Sequence, residues 1–179
     1  MQLIVFSGLP GTGKSSLAEA AGRRLGIPVF SKDVLEAAIV RAGMTENEDA
    51  RQQLGWAGYE LLTTLATRQL RLGQSVILDS VASTASIRNA WRALANTRGA
   101  EWRVVECVCS DAEMHRQRLE GRKRGIANWP ELTWSDVERV RGYFTPWQES
   151  HLTVDAMATF GENLDLVLNY LSTEHAYAK

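Results

Sequence analysis

The chain has 179 residues, 45% hydrophobic and 23% charged, with a formal net charge of −1. That length and apolar content suit one domain able to bury a core without disulfide staples. The near-zero charge removes the bulk electrostatic reason to expect nucleic acid or a membrane surface as a partner.

The first apolar run, LIVFS at 3–7, predicts a strand, and the Ala/Leu-rich segment at 14–25 predicts a helix. Between them lies GLPGTGKS, which fits G-x-x-x-x-G-K-[ST] with Gly8, Gly13, Lys14 and Ser15 in the defining positions. Gly8, Gly11 and Gly13 open backbone angles that let main-chain N–H groups turn inward, and the helix that follows aims its positive end at the same place. Residues Gly8, Leu9, Pro10, Gly11, Thr12, Gly13, Lys14, Ser15 and Ser16 are therefore the expected nucleotide seat. Lys14 serves the outer phosphates and the Ser15 hydroxyl serves Mg²⁺.

PVFS at 28–31 reads as the second strand, followed by a helix over 33–42 that Asp33 opens. A long helical pattern spans 50–72 and stops at Gly73. Its Trp56 and Tyr59 read first as packing residues. Trp56 is kept as a candidate acceptor contact, because the segment between the second and third strands often roofs the acceptor pocket in this architecture. SVILDS at 75–80 is apolar until Asp79, as a buried central strand would be, and a helix at 84–97 carries Arg88. WRVVECVC at 102–109 predicts the fourth strand, with Cys107 and Cys109 as core thiols in a reducing compartment.

Beyond it a helix over 111–123 carries the basic run HRQRLEGRKRG, which leads into the turn-rich GIANWPELTWSD. This order predicts a mobile lid over about 118–136 that brings arginines to a transferring phosphate. Arg118 and Arg122, four residues apart on one helix face, are the leading candidates, with Arg124 behind them on the nucleotide. A helix at 135–143, a strand at 152–157 and a last helix at 162–172 complete the chain. His115 and His151 lack the spacing of a metal site or a triad and receive no role. The N-terminal residues carry no basic n-region or apolar h-region, and no run reaches membrane-spanning length, so a cytoplasmic location is expected.

Strands alternating with helices imply a parallel sheet covered on both faces, with ligands beyond the strands' carboxyl ends. No N-K-x-D sequence occurs, which removes the usual base-recognition signal of GTPases. A transferase needs a carboxylate at a neighbouring strand end to take a hydroxyl proton, and Asp33 and Asp79 both qualify. Asp79 could instead join Ser15 in the metal's shell. Each acid also has a structural use, Asp33 at a helix N-terminus and Asp79 wherever polar partners surround it.

GLPGTGKSS, SKD, VILDS with Arg88 following, RQRLEGRKR and TWSDVERVRGYFTPW together resemble the small P-loop kinases of the AAA_33-like group, related to chloramphenicol phosphotransferase, polynucleotide kinases and zeta toxins. The resemblance implies a P-loop NTPase three-layer α/β/α sandwich with a five-stranded parallel sheet and a helical lid, formed by residues 1–179 as one kinase domain. It also implies ATP with Mg²⁺ and transfer to a hydroxyl. Asp33 would be the general base, and Asp79 would orient the acceptor or a metal-bound water, with Arg118, Arg122 or Arg124 as lid arginines. The polynucleotide kinases carry an arginine three residues after the base, where it holds a phosphorylated acceptor. Here that residue is Glu36, which would repel such a group and favours a neutral alcohol. The expected acceptor contacts are thus Asp33, Glu36, Trp56, Asp79 and Arg88. A nucleotide or polynucleotide 5′-hydroxyl kinase and a non-catalytic ATP-binding regulatory module are the competing readings.

Overall fold

The computed structural model describes residues 1–43, 48–127 and 129–173. The strands are β1 (Gln2–Ser7), β2 (Val29–Ser31), β3 (Val76–Asp79), β4 (Glu101–Val108) and β5 (Leu152–Asp155). The helices are α1 (Lys14–Leu25), α2 (Lys32–Arg41), α3 (Glu48–Arg71), α4 (Ala85–Thr97), α5 (Ala112–Gly121), α6 (Trp134–Arg141) and α7 (Phe160–Ser172). The sheet has five strands in the order β2-β3-β1-β4-β5, every pair parallel. This is the P-loop α/β/α sandwich that the alternation of strand and helix predicts. Among the described residues no helix is long and apolar enough to cross a membrane.

β1 shows why the sheet is covered on both sides. Leu3 and Val5 pack with Leu62 and Ala66 of α3 and Trp91 and Ala95 of α4, whereas Ile4 and Phe6 pack with Leu17, Ala18 and Ala21 of α1 and Val167 of α7. Successive side chains alternate faces, and both faces meet apolar helices. Leu3 to Phe6 are all 0% exposed, and each such burial contributes about 1.5–3 kcal/mol. The loop that follows β1 therefore hangs from a buried central strand.

The register places chemistry at the carboxyl ends. Asp79 lies beside Ser31 on β2 and beside Phe6 on β1, and Ser7 lies beside Glu106 on β4. The connection after β3 is held by three donors, two of them distant in sequence. Ser7 Oγ donates to the Val81 carbonyl at 2.7 Å, Arg88 Nε to Ala82 at 2.6 Å, and the Thr145 amide to Ser83 at 2.8 Å. This network stabilises a left-handed Ala82 (φ 47°), a conformation that costs a non-glycine residue about 1–2 kcal/mol.

Helix ends differ in a way that bears on the site. Asp111 caps α5 by accepting from the Met114 amide at 2.8 Å, while Thr133 with Asp136 and Thr159 with Glu162 form capping boxes on α6 and α7. α1 starts on a left-handed Gly13 with no side-chain cap, so its first amides are left for another partner. α5 ends at Gly121, two residues short of the expected 123, because Arg122 is extended (φ −89°, ψ 153°). The expected lid, 118–136, thus begins on the last turn of α5, crosses an irregular stretch and ends in α6. Asn128 within it lies outside the described residues.

Candidate active site

The P-loop arches over the carboxyl end of β1. Gly8 (φ 139°), Gly11 (φ 94°) and Gly13 (φ 85°) all adopt angles that side chains resist. A Cβ on Gly8 would also collide with the Cys107 carbonyl of β4. Thr12 Oγ1 donates to the Leu9 carbonyl at 2.9 Å, closing the loop on itself. Pro10 and Gly11 are buried in its crest, Lys14 is buried at the head of α1, and Ser15 and Ser16 follow at increasing exposure.

Asp79 stands beside this seat and is 3% exposed. Burial pushes its carboxyl above the ordinary aspartate range, against Lys14 and the hydroxyls of Ser15 and Ser31, and Asp33 pushes it further. Its Oδ1 is buried without a hydrogen-bond partner. A buried carboxylate with one oxygen unused, next to the P-loop serine, is a donor set that a hard divalent cation completes. Magnesium keeps most of its shell as water and phosphate oxygen, so one hydroxyl and one carboxylate suffice. Ser15 and Asp79 therefore fit Mg²⁺. No group of three or more His, Cys, Asp or Glu side chains that could hold a metal occurs among the described residues.

Asp33, at the start of α2, is about one-third exposed and is held by the lid. Arg124 Nη1 donates to Asp33 Oδ2 at 2.8 Å, Arg124 Nε to Glu131 Oε2 at 3.1 Å, and the Arg124 amide to Glu131 Oε1 at 2.9 Å. Arg124 Nη2 also donates to the Pro130 carbonyl. Arg124, expected on the nucleotide, is thus engaged by the candidate base. Nothing in the sequence pairs Glu131 with this arginine, because the contact needs the folded lid. Arg122 is half-buried with its Nε unpartnered, and it acts electrostatically on both Asp33 and Asp79. Burial lowers its affinity for its proton and Arg124 adds to that, so an anion beside it is favoured.

Arg118 does not share this position. The end of α5 at Gly121 breaks the helical relation expected between Arg118 and Arg122, and Arg118 stands exposed, acting on Asp155 at the end of β5 and on Cys109. The expected cysteine pair is reduced. Burial pushes the Cys107 thiol up to about 12, and Cys109 is only half-buried.

The expected acceptor contacts separate. Glu36 is buried in an ion pair with Lys32, and burial holds its carboxyl above the usual glutamate range despite that lysine. The Lys32 ammonium lies 4.7 Å from the Tyr59 ring centre, and Gly58 leaves room for Glu36 where a Cβ would press on the carboxylate. Trp56 has no part in this cluster and is 72% exposed on α3. The inward aromatic of α3 is Tyr59, one helical turn later, bonded toward Ser83 and Ala82. Lys32 and Tyr59 therefore join Glu36 in one cluster between α2 and α3, a contact the sequence reading did not make. The i,i+4 spacing of Lys32 and Glu36 was the available signal. Arg88 is a buried clamp: its guanidinium lies 3.9 Å from the Trp147 ring centre and 5.0 Å from that of Phe144, and its Nε holds Ala82. It shapes the loop after Asp79 from a buried position, with its Nη2 left without a hydrogen-bond partner.

His115 and His151 both have partners. His151 bridges the Glu149 carbonyl (2.7 Å) and Glu106 Oε2 (3.1 Å). His115, buried on α5, contacts the Pro10 carbonyl through Nε2 at 2.7 Å and meets the Trp134 ring edge-on at 5.2 Å. His115 and Leu119, four residues apart, form the buried stripe of an otherwise polar helix. A cavity of about 290 Å³ flanks the outer side of the P-loop, between Leu9, Glu106, His115, Arg141 and Phe144.

The family model AAA_33, an AAA domain, matches residues 3–146. Among curated proteins none matches the sequence. Solved structures share the fold. A presumed kinase from Chloroflexus aurantiacus j-10-fl is 23% identical over 95% of this chain and 96% of its own, with a TM-score of 0.76. A gluconokinase from Sinorhizobium meliloti 1021 is 19% identical over 96% and 91%, with a TM-score of 0.69. The Mycobacterium tuberculosis APS kinase CysC, in complex with AMPPNP and APS, is 23% identical over 96% and 98%, with a TM-score of 0.58.

Proposed function

The chain belongs to the AAA_33 family of AAA domains, and we propose that it is an ATP- and Mg²⁺-dependent phosphotransferase whose acceptor is a hydroxyl group of a small molecule. One observation carries this reading: the parallel register sets Asp79 between Phe6 of β1, which leads into the P-loop, and Ser31 of β2, which leads into Asp33, so a phosphate seat and a candidate base adjoin. The presence of a gluconokinase and an APS kinase among proteins of this fold supports the same class of chemistry.

In this reading Lys14 and the uncapped amides of α1 hold the phosphate chain. Ser15 and Asp79 hold Mg²⁺, which when bound neutralises charge on the phosphate oxygens. Asp33 accepts the proton of the acceptor hydroxyl while that oxygen bonds to the γ-phosphorus and the bond to the ADP oxygen breaks. Arg122 lies where negative charge develops. Arg124 must release Asp33 before the base can act, so the lid exchanges partners during turnover. Lys32 is already paired with Glu36 and offers no free charge to a phosphorylated acceptor, so an antibiotic-phosphotransferase-like neutral alcohol is the favoured substrate type.

The test is incubation with ATP, Mg²⁺ and a panel of alcohols, sugars, nucleosides and antibiotics, with phosphorylated product read by mass. Asp33→Asn abolishes product while ATP still binds. Full transfer by that variant would remove Asp33 as the base.

A further inference from the structure

We propose that His115 is a positioning residue for nucleotide binding: by donating from Nε2 to the Pro10 carbonyl it fixes the Pro10–Gly11 peptide with the Gly11 N–H turned into the phosphate seat. The inference deepens the ATP-binding reading and rests on it.

The geometry starts from the peptide plane. No cis peptide occurs in the described chain, and in a trans peptide the carbonyl and the following N–H point in opposite directions. The Pro10 carbonyl points at α5, where His115 Nε2 lies 2.7 Å away, so the Gly11 N–H points away from α5. A carbonyl only accepts, so Nε2 carries the proton and Nδ1 is bare. Burial lowers the proton affinity of the ring, and Arg141 and Arg122 reinforce that effect against the Pro10 contact and Glu138, which keeps this neutral tautomer in place.

The loop needs such a lock. Gly11 (φ 94°) has no side chain to resist rotation of its peptide, and Pro10 has no N–H to anchor the crest. The cavity of about 290 Å³ along Leu9 leaves the outer wall of the loop unpacked on that side. What meets the crest is the imidazole: a Cβ added to Gly11 would lie 3.1 Å from the ring and 3.2 Å from Leu119. The ring is in turn seated edge-on against Trp134, the first residue of α6, so the helix that closes the lid region also sets the angle of the donor. Asp111, capping α5 one turn earlier, fixes the height of His115 along the loop.

The test uses two variants of the whole chain and direct titration with ATP and Mg²⁺, with no acceptor present. His115→Met keeps the volume and removes the donor; His115→Gln restores an N–H at similar reach. ATP Kd is expected to rise about tenfold in His115→Met, the scale of one misdirected hydrogen bond to a charged group. His115→Gln is expected to recover to within about threefold of wild type, a rescue that a packing role would not produce. Thermal melting of the free proteins shows whether either variant has lost its fold, and His115→Gln decides the matter if His115→Met has. An unchanged Kd in a folded His115→Met overturns the inference, as does a Gln variant no better than Met. Failure of the wild type to bind ATP overturns this inference and the nucleotide-binding reading together.

Discussion

The two halves of the site are built from different materials. The donor half, Gly8 to Ser15, is made of backbone: glycines at positive φ, a loop bonded to itself through Thr12 and Leu9, and a helix that begins without a cap. The proposed acceptor half is made of side chains whose charges are already matched: Lys32 with Glu36, and Arg124 with Asp33 and Glu131. A backbone seat recognises what every nucleotide shares, and it tolerates little change. A side-chain pocket can be rewritten one residue at a time, which is how one fold serves many acceptors.

That contrast breaks most visibly at the base. Asp33→Asn is expected to lower turnover by about 10²–10⁴-fold with ATP affinity held within about twofold, measured by steady-state kinetics and titration. A parallel loss of ATP binding would mean that the halves are not separable. On the donor side, Gly8→Ala places a Cβ against the Cys107 carbonyl at φ 139°, and about 3 kcal/mol of stability is expected to go, read by denaturant unfolding. Asp79→Asn sits on the boundary. It is expected to weaken apparent Mg²⁺ affinity about 10–100-fold, seen as a shifted metal dependence of ATP binding, and to leave metal-free nucleotide affinity nearly unchanged.

The smallest effect is a titration. The folded protein lowers the proton affinity of His115, so below the ordinary histidine value near 6.5 the unfolded chain binds the extra proton first. Stability attributable to this residue is full above that pH and declines as pH falls from about 6.5 toward the lower folded value. His115→Gln should flatten that part of the pH–stability curve. A wild-type curve equally flat over the same range would show that protonation costs the loop nothing.

The same division explains what the sequence disclosed. The five strands and the P-loop are local patterns: an apolar run such as Leu3–Phe6 announces a buried strand, and glycine spacing announces a turned backbone. The acceptor side depends on contacts between segments far apart in the chain. Trp56 and Tyr59 are three residues apart, and only the packing of α3 against α2 and α4 shows that Tyr59 faces inward. Arg118 and Arg122 look like one helix face until α5 ends between them. His115 carries no motif, and its meaning comes from the Pro10 carbonyl 105 residues earlier in the chain. The left-handed Ala82 was equally hidden, because its angle is imposed by Ser7, Arg88 and Thr145 rather than by its own chemistry.

The missing cap on α1 has a thermodynamic consequence. α5, α6 and α7 carry their own side-chain acceptors, whereas α1, like α2 and α4, has none, and α1 alone of these opens directly from the P-loop. α1 borrows its acceptor from the solution, and the folded state is therefore linked by mass action to the concentration of whatever anion fills the loop. A ligand at 100 times its Kd adds about 2.7 kcal/mol to the stability of the folded chain. Melting temperature thus becomes a meter of occupancy, and ranking nucleotides by the heat each lets the protein withstand would identify the donor before any acceptor is known.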